Sequence, residues 1–127
     1  MTKEEFERKM RLRIICEDAE AITQLSLQHA VKWNRIVQPT RIYLFYQEEP
    51  WDFLTYVVDD KGWAIRYSGF SWGYAGEGPH GLMQLIKDFG WAVPNITIEP
   101  EAHVPGAWIV TPDGKVKVEW LPTFPLV

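Results

Sequence analysis

Three runs of aromatic and branched residues follow one another in mid-chain, at 41–47, 53–58 and 63–67, and the connectors between them are too short to hold a helix. Glu48-Glu49-Pro50 has the chemistry of one turn, and Asp59-Asp60-Lys61-Gly62 that of another. Antiparallel strands can be joined by a tight turn, whereas parallel ones need a crossover of about a dozen residues or more. The three runs are therefore expected to pair as an antiparallel meander. A further hairpin closes the chain: residues 107–111, the turn Pro112-Asp113-Gly114, then 115–120. Val116, Val118 and Trp120 alternate there with Lys115, Lys117 and Glu119, so one face is expected buried and the other wet. A short strand is expected at 96–98 between Pro94 and Pro100, with a loop from 99 to 106, and residues 121–127 read as an extended tail.

Two regions carry helical signals. Thr2 with Glu5 three residues on is a capping box, and Phe6, Met10 and Ile14 recur every fourth residue, so a helix is expected from Lys3. The branched stretch 12–16 could break or bend it. Asp18 can cap a second segment in which Ile22, Leu25, Ala30 and Trp33 fall near one face. With no glycine or proline before Pro39, one continuous helix over 3–36 stays open beside two segments. The second helical region spans about 79–89, with Pro79 in its first turn, an apolar stripe of Leu82, Leu85, Ile86 and Phe89, and Gly90 as its C-terminal cap. Hairpin-linked strands with helices first and between strand groups define an α+β fold. The expected form is one domain over 1–127, an antiparallel sheet carrying its helices on one face.

Charge narrows the function classes. The net charge is −4, which argues against non-specific binding to a nucleic-acid backbone. The early basic residues Lys3, Arg8, Lys9, Arg11 and Arg13 are interleaved with Glu4, Glu5 and Glu7, as on a solvated helix face. Cys16 is the one cysteine, so an intrachain disulfide is excluded and a reducing cytoplasm fits; beside Ile14 and Ile15 it reads as an inert buried thiol. No apolar run approaches the ~20 residues of a membrane span. His29, His80 and His103 lack any spacing that would bind zinc, so no metal and no cofactor are expected. Seven tryptophans in so short a chain serve either as core and oligomer-interface filling or as stacking platforms, and self-association is expected.

One segment reads as a site. Residues 69–82 hold five of the nine glycines and lead directly into the 79–89 helix. Glycine permits positive φ and close approach of backbone N–H groups, and a helix start favours an anion. The segment is no Walker A loop, since His80-Gly81 stands where Lys-Ser/Thr is needed, and no βαβ unit marks a dinucleotide fold. The candidate ligand set is the amides of Gly73, Gly76 and Gly78, a stacking ring at Trp72 or Tyr74, Glu77 with His80, and Arg41 or Arg66 as a phosphate clamp. The alternative is a tight structural connector with Trp72 and Tyr74 packed inward.

Trp72-Gly-Tyr-Ala-Gly-Glu-Gly-Pro79, with Leu82 and the apolar helix behind it, resembles the Tyr-Gly-Gly-x-Gly-Pro…Leu segment of a family of small uncharacterised proteins of phages, plasmids and other mobile elements. Ala75 stands where that pattern has glycine, and the likeness covers about a sixth of the chain. It implies a mobile-element origin, and with it a counter-defence role such as capture of a nucleotide second messenger. Three functions are expected in order: a non-enzymatic protein holding a nucleotide-like anion, an interaction module docking on a host protein through exposed aromatics, and a small hydrolase or transferase using His80 and Glu77.

Overall fold

The computed structural model describes residues 1–18, 21–33 and 36–122. In chain order it places α1 (Lys3–Lys9), β1 (Arg13–Asp18), α2 (Thr23–Trp33), β2 (Arg41–Glu48), β3 (Trp51–Val58), β4 (Trp63–Tyr67), α3 (Glu77–Asp88), β5 (Gly106–Val110) and β6 (Val116–Trp120). One six-stranded sheet of order β1-β4-β3-β2-β5-β6 forms the centre. The meander forms as its short turns demand, with β2 and β3 in register from Arg41 opposite Val58 to Glu48 opposite Trp51. The β5–β6 hairpin extends the sheet by pairing β5 antiparallel to β2. The fold is α+β, with a sheet of hairpins, an N-terminal helix and a second packed helix.

Over 3–36 two helical segments form, not one continuous helix, and the stretch between them is an unexpected strand. Its first helix ends after seven residues, Arg11 takes a left-handed φ of 55°, and the branched stretch becomes β1, which runs parallel to β4. Ile14 and Ile15 are stiff at χ1 and suit a pleated surface better than a helix interior. The sheet is thus mixed at one edge, with a bulge between Ile14 and Cys16. The expected capping is present: the Thr2 hydroxyl accepts the Glu5 N–H at 3.2 Å.

The helices also cover both faces of the sheet, not one. On one face α2 and α3 bury Ile42, Leu44, Val57, Ile65, Tyr67 and Trp108. On the other, α1 plugs Phe6 into Tyr43, Phe45, Leu54 and Tyr56, its ring stacked on Phe45 at 4.7 Å. Burial on both faces explains why β2 and β3 read as unbroken apolar runs without alternation.

The buried face of α2 keeps Ala30 and Trp33 of the expected stripe but not Ile22 and Leu25. Thr23, Ser26 and Ala30 face inward, while Ile22 and Leu25 are exposed. Close approach decides this: a Cβ at Gly69 would lie 2.1 Å from Ser26 Oγ, and one at Gly81 2.1 Å from Thr23 Cγ2. Small residues on α2 meet glycines on the opposite segment, and larger side chains are forced outward. Residues 96–98 form a turn instead of the expected strand, although Ile96 is fully buried. The last five residues of the expected tail lie outside the described residues.

Candidate functional site

A cleft of about 650 Å³ opens at the end of the sheet where the β2–β3 turn, the exit of β4, the starts of α2 and α3, and the loop carrying His103 converge. Phe53 and Phe70 form apolar wall, and Trp51, Ser71, Tyr74 and His103 bring polar or aromatic groups to it. Trp51 is 65% exposed and Tyr74 44%, so both rings are free to meet a ligand.

The glycine segment builds one side of this cleft, and each glycine has a steric reason. Gly73 has φ +85° and donates its N–H to the Ile96 carbonyl at 2.8 Å; a Cβ there would sit 2.1 Å from the Ala102 nitrogen. That contact holds the segment against the loop leading to His103. Gly78 presses on Ser71, whose Oγ would lie 2.0 Å from an added Cβ, and Ser71 Oγ bonds the Tyr74 hydroxyl at 2.7 Å. Gly76, the N-cap of α3, lies beneath the Tyr74 ring, which a Cβ would approach to 2.7 Å. Tyr74 is thereby laid over the helix start.

At that helix start Pro79 has no N–H, and the His80 N–H bonds the Gly76 carbonyl at 3.1 Å. His80 Nδ1 lies 2.6 Å from the same carbonyl, which can only accept, so the Nδ1 tautomer carries the proton and donates it. The side chain is turned back on its own helix. The N–H groups of Glu77 and Gly78 are left as the first-turn donors.

Of the expected set only Tyr74 and Gly78 line the cleft; Gly73, Gly76, Glu77 and His80 do not, and Trp72, Arg41 and Arg66 are engaged elsewhere. Trp72 is fully buried, edge-on to Phe53 at 4.8 Å, and is core; the exposed ring is Tyr74. Arg41 sits at the other end of β2, opposite Val58, about 23 Å along the strand from Trp51 at ~3.3 Å per residue. Its guanidinium donates to the Tyr43 hydroxyl at 3.0 Å and the Asp59 carbonyl at 2.7 Å. Arg66 points to the α1 face, where it pairs with Glu7 at 2.5 Å and with Glu17, while Tyr56 donates to Glu7 at 2.7 Å. Neither arginine lines the cleft.

Trp51, Asp52 and His103 are the residues that the sequence reading missed. Trp51-Asp52 directly follows a proline turn, and an acid at a strand start between two aromatic rings was the available signal. His103 has φ 58°; its Nδ1 lies 3.1 Å from the Tyr46 hydroxyl, and its ring meets Trp51 and Phe53 edge-on. Ala21, another cleft residue, has φ 54°. Left-handed backbone at non-glycine residues costs roughly 1–3 kcal/mol each and gathers at functional sites.

Burial pushes the Asp52 carboxyl above its ordinary value, against the Phe53 N–H and the charges of Lys3 and Arg66, which pull it down. The folded chain therefore binds the Asp52 proton more tightly than the unfolded chain does. That contribution to stability is complete below the ordinary carboxylate range and is lost as pH rises through the folded-state value. Asp52→Asn is expected to raise the Tm by about 2 °C at pH 7, with the gain vanishing below about pH 4. Thermal melts of both chains across that range check it, and a lower Tm at neutral pH contradicts it.

Outside the cleft, Cys16 Sγ lies 3.2 Å from His29 Nε2, a pairing across β1 and α2 that residue spacing did not signal. Burial, then the Asp18 and Glu17 charges, push the thiol up, so Cys16 is not an activated thiolate. Among the described residues no cluster of His, Cys, Asp or Glu could hold a metal ion, and no helix is long and apolar enough to cross a membrane. No protein-family model, curated protein or solved structure matches the chain.

Proposed function

We propose that this is a small binding protein, not an enzyme, that holds a nucleotide-like ligand in the cleft between the β2–β3 turn and the glycine segment. The observation that carries this reading is the convergence of two exposed rings, Trp51 and Tyr74, on a cleft that also contains the start of α3. Flat aromatic faces take a base, and the Glu77 and Gly78 N–H groups at the positive end of the helix dipole take an anionic group. No lysine or arginine lines the cleft among the described residues, so the anion rests on amide dipoles with His103 nearby. Affinity in the micromolar range follows from so few charged contacts. The likeness of residues 72–79 to phage- and plasmid-borne proteins extends the proposal to capture of a nucleotide signal in counter-defence.

Tryptophan-fluorescence titration with nucleoside monophosphates and cyclic mononucleotides tests the reading. Quenching that saturates in the micromolar range, and weakens at least tenfold in Trp51→Ala and Tyr74→Ala, is the expected result. Both residues are exposed, so the variants should keep the fold. Absence of quenching with every nucleotide removes the proposal.

A second reading, docking on a host protein, draws on a shallow groove of about 230 Å³ at the β1 edge. Ile15, Ile36 and Trp63 line it and are partly exposed. A stoichiometric partner lost in Trp63→Ala but kept in Trp51→Ala would favour it.

A further inference from the structure

Three rings at the cleft stand at steep angles to one another and form a corner. Trp51 meets Phe53 at 6.3 Å and 84°, Trp51 meets His103 at 5.8 Å and 78°, and Phe53 meets His103 at 5.3 Å and 65°. Trp51 and Phe53, two apart on β3, project from the same face of the sheet, and the left-handed backbone at His103 brings the third ring to them. The Tyr46 hydroxyl, 3.1 Å from Nδ1, holds that ring in place. All three rings line the cleft, and the exposed Tyr74 ring lines it from the glycine segment. The charges around them have one sign. The stretches 48–53, 68–80 and 99–104, which build most of the cleft, contain five glutamates, all exposed, and no lysine or arginine. Arg66 is held by Glu7 and Glu17 on the other face of the sheet.

Resting on the nucleotide reading above, we propose that the aromatic corner selects a cationic base, so that the ligand is a nucleotide methylated on a ring nitrogen. A neutral base stacks on one flat face and has no use for further rings set across it. A positive charge is drawn to the electron-rich face of each ring, and most strongly to indole. Rings at right angles meet such a charge from several sides at once. The glutamates of the surrounding stretches add an attractive field, and no basic side chain among the described lining residues opposes it. The common bases are neutral at neutral pH, and methylation of a ring nitrogen gives one a standing positive charge. The phosphate keeps its place at the Glu77 and Gly78 N–H groups, so the two opposite charges of the ligand meet opposite surroundings.

The test is a calorimetric titration of the intact protein at neutral pH with AMP, 1-methyl-AMP and 1-methyl-IMP. The second has a cationic base, and the third carries the same methyl group on a neutral ring of nearly the same shape. The intact protein is expected to bind 1-methyl-AMP about tenfold more tightly than either of the others. In Trp51→Leu, at an exposed position, that preference is expected to fall to about twofold, and Trp51→Phe should lie between, because its ring has a weaker face. AMP affinity in Trp51→Phe close to that of the intact protein separates lost selectivity from lost fold. If 1-methyl-IMP binds as tightly as 1-methyl-AMP, the methyl group and not the charge is recognised, and the cationic assignment is overturned. Equal affinity for all three overturns it as well, while nucleotide binding stands. If none binds, both fall together.

Discussion

Gly73→Ala is expected to lower stability by about 3 kcal/mol and the Tm by roughly 10 °C, measured by urea and thermal unfolding. Two costs add at this position. Its φ of +85° is left-handed, which costs an L-residue about 1–2 kcal/mol. The new methyl would also meet backbone: the Ala102 nitrogen at 2.1 Å, its Cα at 2.6 Å and the Pro100 oxygen at 2.7 Å. Backbone yields less readily than a side chain, so overpacking adds about 1–3 kcal/mol. Gly90 is the internal control, because it shares the conformation (φ +79°) but has nothing within 4 Å of an added Cβ. Gly90→Ala should therefore cost only the backbone part, about 1 kcal/mol. Equal losses in the two variants would show that the contact with the 100–102 loop has no energetic weight, and that His103 is held in the cleft by other means.

Arg66→Met is the second large effect, with an expected loss of about 2–3 kcal/mol in urea unfolding. Glu7 of α1 accepts from the Tyr56 hydroxyl on the sheet, and the Arg66 guanidinium is what balances the Glu7 charge there. The Arg66 side chain is 11% exposed and that of Glu7 16%, so water replaces little of the lost partner. Adding Glu7→Gln removes the stranded charge, and the double variant should recover about half of the loss. Additive losses instead would mean that the pair is solvated well enough to contribute nothing. Nucleotide titration should be unaltered in Arg66→Met, since the side chain faces the α1 side of the sheet. A loss of binding with the fold intact would return Arg66 to the ligand.

Much of the fold was legible where the chain's local chemistry left one outcome. The turn at 48–50, the glycine turn at 59–62 and Pro112-Asp113-Gly114 each join strands that could pair only as hairpins. The stripe Leu82, Leu85 and Ile86 is the buried face of α3. The 12–16 stretch was less decisive. Its branched residues tolerate helix or strand, and it became a strand because the β4 edge offered unpaired backbone, a partner about fifty residues away. The site was legible in outline only. The glycine segment does line a cleft, yet its side chains divide between core and cleft in a way that the order Trp72, Gly73, Tyr74 does not reveal.

What the sequence determined alone was set by short-range physics: turn residues, helix periodicity, proline and glycine conformations, and a net charge unsuited to a nucleic-acid backbone. What tertiary structure alone decided was which groups share a surface. Arg66 and Trp72 both read as candidates for ligand contact by type. The sheet turned one toward Glu7 and buried the other edge-on against Phe53. Successive strand residues point to opposite faces, and cleft walls come from elements distant in the chain. A residue's chemistry is therefore written locally, while its partners are fixed only when the sheet and its helices close.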